Sequence, residues 1–211
     1  MRSPPAGDPF TATSNVLLRL VREAPGERLT MADIVAGLED RTFGLLMLLL
    51  ALPNCPPMPG IPFVSTVTGT PLAFFAGQLA LGHPTPWLPQ RLLRQSFERA
   101  RLLRALETIA PAIKRVERLL KHRLPWLATG TGERVAAGIA CALAVILALP
   151  IPGGNLLPAW AIVFFALGIV ERDGVCVMIG GVLTVLALAV VTLVLVLGVQ
   201  LTIYLLSMWP F

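Results

Sequence analysis

Leu147-Ala148-Leu149-Pro150-Ile151-Pro152-Gly153-Gly154-Asn155 decides how this chain folds, because it halts an apolar run with residues that cannot stay helical. Proline has no N–H to donate, and its ring collides with the turn before it. The run leading into the break is short for a bilayer crossing, which needs about 20 apolar residues. The chain leaves the break through Pro158 and reaches Phe164-Phe165-Ala166. An earlier stretch has the same order of parts. Leu50-Ala51-Leu52-Pro53 enters Asn54-Cys55-Pro56-Pro57-Met58-Pro59-Gly60-Ile61-Pro62 and leaves as Pro71 through Phe74-Phe75-Ala76.

Backbone released by such a break cannot face lipid, where an unpaired polar group costs several kcal/mol, so protein or water must shelter it. Matched Gly/Pro interruptions in two halves of a membrane protein point to a transport-type site at mid-membrane. Helical hairpins with proline-rich turns at the membrane surface are the plainer alternative. On the first reading the candidate pathway residues are Asn54, Pro56, Pro57, Pro59, Gly60 and Ser65 from one break, and Pro152, Gly153, Gly154, Asn155 and Pro158 from the other. The hydroxyl-rich string Ser65-Thr66-Val67-Thr68-Gly69-Thr70 is expected to repair backbone groups left open by the kink, with substrate contact as the alternative.

The rest of the composition agrees with a membrane setting. Of 211 residues only 14% are charged, against about 25% in an ordinary soluble domain, and the mean hydropathy is +0.77. No Asp, Glu, Lys or Arg follows Asp173. The fold class expected is therefore an all-α integral membrane protein, with two repeated Pro/Gly-broken, re-entrant-like hairpins and a long C-terminal transmembrane helix. It divides into an N-terminal tail and amphipathic helix (1–28), unit one (29–89), a basic amphipathic linker (90–124), unit two (125–174) and the last helix (175–211). Val175 to Leu206 makes about 48 Å of helix. It must either tilt and protrude or break near Gly198.

Between Arg91 and Arg123, Lys and Arg exceed Glu98, Glu107 and Glu117 by seven. By the positive-inside rule this segment is cytoplasmic. Anionic lipid headgroups are the expected counter-charge, not nucleic acid. Its apolar residues recur at helical spacing, which predicts one or two amphipathic helices lying flat on the leaflet, with Pro111 as a kink or a second start. Thr30-Met31-Ala32-Asp33 has the form of a capping box. Met1 to Thr13 lacks the apolar core of a signal peptide. Cys55, Cys141 and Cys176 lie far apart in apolar surroundings, which suits buried packing and neither a disulfide framework nor a metal site.

The remaining candidates are charges at the ends of apolar runs: Glu39, Asp40 and Arg41, then Glu133 and Arg134, then Glu171, Arg172 and Asp173. Arg41 and Arg134 meet their apolar runs on nearly the same face. Interfacial ion pairs and a capped helix end are the ordinary readings of these groups, and a part in ion or substrate passage is the functional one. No HExxH, nucleophile elbow or phosphate loop is present, so neither an enzyme nor a cofactor is expected.

Gly-Leu-x-Asp-Arg-x-Phe-Gly at 37–44, Leu49 to Asn54, Pro-Trp-Leu-Pro at 86–89, Pro152-x-Gly-Asn-Leu-Leu-Pro and Glu171-Arg172-Asp173-Gly174 together resemble the ExoD family of bacterial inner-membrane proteins. The resemblance runs from about Leu29 to the C-terminus. Asp40, Arg41, Gly44, Pro53, Asn54, Gly154, Asn155, Pro158, Glu171, Arg172 and Asp173 carry it. It implies an inner-membrane location and an association with exopolysaccharide synthesis, with no established reaction and no catalytic residue. Two functions are then open. One is a small transporter-like protein for an ion or lipid-linked substrate, expected as a homodimer because one subunit this small hardly encloses a watered cavity. The other is a non-transporting accessory that docks a polysaccharide-assembly protein through residues 91–123.

Overall fold

The computed structural model describes residues 13–23, 26–38, 41–55, 64–120, 123–149 and 155–207. In chain order the elements are α1 (Thr13–Glu23), β1 (Arg28–Thr30), α2 (Met31–Leu38), α3 (Thr42–Ala51) with a 3-10 turn over Leu52–Asn54, and α4 (Val64–Ala80). Then come α5 (Gln90–Leu93), β2 (Ser96–Glu98), α6 (Arg99–Leu119), α7 (Pro125–Ala128), α8 (Thr131–Ala148), α9 (Leu156–Glu171) and α10 (Gly174–Ser207).

The core is a bundle of α3, α4, α8 and α9. The helices pair within each unit, α3 with α4 and α8 with α9, and across units, α3 with α9 and α4 with α8. Exchanging the two units reproduces this set of contacts, the ring of neighbours of an up-down four-helix bundle. Small residues allow the crossings. A Cβ on Gly69 in α4 would stand 2.9 Å from the Ala148 nitrogen and 3.1 Å from the Ala144 carbonyl oxygen of α8. One on Gly44 in α3 would meet the Val170 side chain at 2.5 Å and the Ala166 carbonyl oxygen at 3.1 Å on α9. Around these crossings Phe43, Met47, Leu72, Leu143, Leu147, Ile162 and Phe165 are fully buried. As the hub, α9 touches α3, α8 and α10 and is apolar nearly all round, as a buried helix must be.

Both hairpins point the same way. Thr66 at the start of α4 bonds Ala148 at the end of α8, and the turn ending α3 touches α9. At the opposite end Gly82, just past α4, lies against the Arg134 guanidinium at the start of α8. The units are therefore parallel repeats.

Two helical stretches are long and apolar enough to cross a membrane by length and composition, Thr131–Ala148 and Gly174–Gln200, while Thr42–Asn54 and Leu156–Glu171 are shorter. The two incoming helices thus differ. That of unit two reaches 18 residues because its polar first turn, Thr131 to Arg134, is helical too, and only that of unit one stays clearly short.

The helix α10 runs through Gly198 without a break. A Cβ on Gly168 would meet Val177, and one on Gly180 would meet Phe165, so α10 runs antiparallel to α9. This register leaves roughly its last eighteen residues, about 27 Å, beyond the start of α9. The long helix overshoots the bundle; it does not break.

The outer elements differ more from expectation. The linker is not purely helical: β2 pairs with β1 in an antiparallel ladder, Leu29 opposite Phe97. The helix α6 passes through Pro111, and α1 packs on α6, so these helices shelter part of each other's apolar faces. An Arg22–Glu107 ion pair of 3.2 Å and an Arg99 guanidinium donating to the Arg22 carbonyl join them. The predicted capping box is formed. The Asp33 amide donates to Thr30 Oγ1 at 3.2 Å, and the Thr30 amide donates to Asp33 Oδ2 at 2.9 Å.

Candidate functional site

At one end of the bundle the described helix ends next to the two breaks meet. Pro53 removes the donor that would continue α3, and Asn54 repairs the loss with its side chain. Its Nδ2 donates to the Leu50 carbonyl at 3.2 Å and to Thr68 Oγ1 of α4 at 2.8 Å. In unit two Leu149 is extended (ψ 134), as the residue before a proline is driven to be. The Ala148 carbonyl, left open at the helix end, accepts from Thr66 Oγ1 at 2.9 Å. Thr70 Oγ1 donates to the Thr66 carbonyl at 2.9 Å, one turn before Pro71. Of the hydroxyl string, Thr66 meets an open helix-end carbonyl, and the string lies within α4, which starts at Val64 and absorbs Pro71 instead of beginning there.

Asn155 stands at the start of α9. Its Nδ2 donates weakly to the Leu147 carbonyl, at 3.5 Å, and among the described residues no donor reaches its buried Oδ1. Thus Asn54 and Asn155, one from each break, lie at the same end of the bundle. Ser65 is half-buried on the first turn of α4. Pro158 is fully buried in the core, where the first helical turn has no use for its missing N–H. Pro56, Pro57, Pro59, Gly60, Pro152, Gly153 and Gly154 lie outside the described residues, as do Glu39 and Asp40.

At the other end the charged candidates gather. Arg41 before α3, Glu133 and Arg134 at the start of α8, and Arg172 after α9 line one pocket of about 400 Å³, together with His83, Thr129 and Gly130. Gly82 holds φ +81 there, and a Cβ on it would stand 2.7 Å from the Arg134 guanidinium carbon. The chain turns back across this end under the grip of Gln78. Its Oε1 accepts from the Trp87 amide at 2.6 Å, and its Nε2 reaches the Trp87 carbonyl at 3.5 Å. Asp173 faces elsewhere: it is buried, and its Oδ1 accepts from the Val175 amide at 2.9 Å, which caps the first turn of α10. Glu171 is half-buried at the end of α9. No local spacing places His83 beside the arginines, since the pocket is assembled from segments at least 35 residues apart. Among the described residues no group of three or more His, Cys, Asp or Glu could hold a metal ion.

These features define a class: a mostly helical protein carrying two apolar helices of membrane-crossing length. Comparison with known proteins narrows it. The chain belongs to the ExoD family, described as "Exopolysaccharide synthesis, ExoD", which matches residues 13–193. It is 32% identical over 180 residues to Protein ExoD of Rhizobium meliloti, covering 81% of this chain and 72% of that protein. It is also 28% identical over 166 residues to an uncharacterized Synechocystis sp. protein, covering 78% of each. No solved structure matches it.

Proposed function

We propose that this chain, an ExoD-family protein associated with exopolysaccharide synthesis, is a multi-pass protein of the bacterial inner membrane that passes an ion or a lipid-linked substrate along a route through its two hairpin tips. The observation supporting this is the convergence of Asn54, Thr66, Thr68 and Asn155 at one end of the bundle, with Asn155 Oδ1 lacking a donor among the described residues. Helix-end carbonyls and side-chain amides supply partial charges there without ionised groups. The excess of Lys and Arg in 91–123 sets that linker, and with it the arginine pocket, on the cytoplasmic side. A homodimer supplies the walls that four short helices lack, and no cofactor or bond-making step is needed. The test is flux in reconstituted vesicles, with protons, sodium and a fluorescent polyprenyl phosphate as probes. Asn54→Leu and Asn155→Leu should each abolish it while the protein keeps its helix content by circular dichroism. Full flux in both variants removes the tips from the route.

A second reading rests on α6, where Arg101, Arg104, Lys114 and Arg115 are exposed. On it the protein is an accessory that docks a polysaccharide-assembly protein. Arg99 is unsuitable for a test because its guanidinium holds α1. Reversing Arg104, Lys114 and Arg115 to Glu should release such a partner and spare flux; retention of the partner rejects the accessory role.

A further inference from the structure

We propose that α6 carries an electrostatic docking surface for an anionic lipid leaflet, formed by a ridge from Arg101 through Arg104 to Arg115 with Lys114 beside it. The inference rests on the membrane placement proposed above and is independent of transport.

Arg101, Arg104, Thr108, Pro111 and Arg115 follow one another at spacings of three and four, so they share one face of α6, and all are exposed. The ridge is about 21 Å long, and no carboxylate stands on it. Local acids cannot neutralise it. Residues 91–123 hold ten Lys or Arg against three Glu. Glu98 is taken by Arg101 at 2.7 Å, and Glu107 is turned to Arg22 of α1. Position 117, which holds the third, lies two residues past Arg115 and so about 200° round the helix. Arg104, Lys114 and Arg115 make no ion pair among the described residues.

Both ends of α6 are tied to one end of the bundle. Before it, the Met31 amide donates to the Gln95 carbonyl and the Arg99 amide to the Glu27 carbonyl, each at 2.9 Å, while Leu93 of α5 packs on the core. After it, the Arg123 carbonyl accepts from the Gly174 amide at 2.7 Å. Arg123 is four residues past Leu119, a reach of at most about 14 Å. A helix of about 30 Å held at both ends in this way lies across the bundle end, parallel to the leaflet. With α1 packed on α6 and Leu102, Leu103 and Leu106 half-buried, the ridge meets a surface by charge and not by apolar insertion. Anionic headgroups form a plane of like charge, which a straight, acid-free line of cations complements, and each Lys or Arg strengthens attachment about fivefold.

The test uses the full chain in phosphatidylcholine vesicles with and without phosphatidylglycerol, with an environment-sensitive fluorophore on Thr108→Cys. The parent, whose Cys55 and Cys176 are buried, is treated alongside as the blank. The label should report a drier setting in the anionic vesicles only, and added salt should reverse it. Arg104→Gln and Arg115→Gln should each lower the ratio of docked to undocked protein about fivefold. Arg19→Gln takes the same charge from α1 and should leave the ratio unchanged. Arg104→Lys should dock fully, because a leaflet needs charge and not a planar fork; loss of docking in that variant indicates a folded partner and overturns the proposal. So does an equal signal in both vesicles, or a cost of Arg19→Gln as large as that of Arg104→Gln. Alkaline extraction separates the two readings. A chain that resists extraction without a lipid-dependent signal refutes the ridge alone, and a chain that is extracted refutes the membrane placement and the ridge with it.

Discussion

Two glycines of α4 face the same neighbour and should respond oppositely to the same change. At Gly69 a new methyl would lie 2.9 and 3.0 Å from the backbone nitrogen and Cα of Ala148, which cannot swing aside. At Gly77 it would meet only the Cys141 sulfur, at 3.6 Å, an ordinary contact. Alanine favours a helix interior over glycine by about 1 kcal/mol at either position. Overpacking a rigid contact costs about 1–3 kcal/mol. Gly77→Ala should then be neutral or stabilising by up to about 1 kcal/mol, since only the helix preference acts. Gly69→Ala should lie about 1–3 kcal/mol below it, the full cost of the clash. For a chain of this size that is a gap of roughly 2–12 °C in melting temperature. Thermal unfolding of both variants in one detergent, followed by circular dichroism, measures it. Equal melting temperatures would show that α4 and α8 do not approach as closely as the structure places them.

Further outcomes follow from single contacts. Thr66→Val should lower stability by about 1 kcal/mol and open the Ala148 carbonyl, seen as faster exchange of amides near 66–70. Gln78→Leu strips both bonds from the Trp87 backbone and should cost about 1–3 kcal/mol, with a change in tryptophan emission. The Asp33 carboxyl is held below its ordinary value by the Thr30 hydroxyl and amide. Its contribution is thus present above the unfolded pKa of about 3.9 and is lost as pH falls through the lower folded value. Acid titration of helix content should show this loss in the parent. In Asp33→Asn that component should vanish.

The parts of the fold legible in the sequence were those fixed by local chemistry. Pro53 and Pro150 mark the ends of two helices whatever surrounds them, the Thr30–Asp33 spacing sets a cap, and the uncharged, mostly apolar run after Asp173 leaves little but helix. What stayed hidden depends on partners distant in the chain. The β1–β2 ladder has three residues on each side, too few for alternation to register. Pro71 read as the way out of the first break and Pro111 as a kink or a second start, yet the structure carries a helix through each. For the candidate site, Asn54 and Asn155 were singled out because each follows a break, and the structure brings them to one end. The charged residues looked like separate interfacial pairs. Only the parallel packing of the hairpins turns Arg41, Arg134 and Arg172 into the walls of one pocket.

In the proposed membrane setting, the overshoot of α10 has a consequence for the surrounding lipid. Around α3, α4 and α9 the apolar height is about 20–25 Å, less than a typical hydrocarbon core of about 30 Å. A bilayer thick enough to cover α10 stands higher than the hairpin tips. The leaflet on that side must dip towards them or admit water above them, and each ångström of such mismatch costs a fraction of a kcal/mol. Thin bilayers relax this strain and thick ones enforce it, so membrane thickness becomes a variable that acts on the tips from outside the protein.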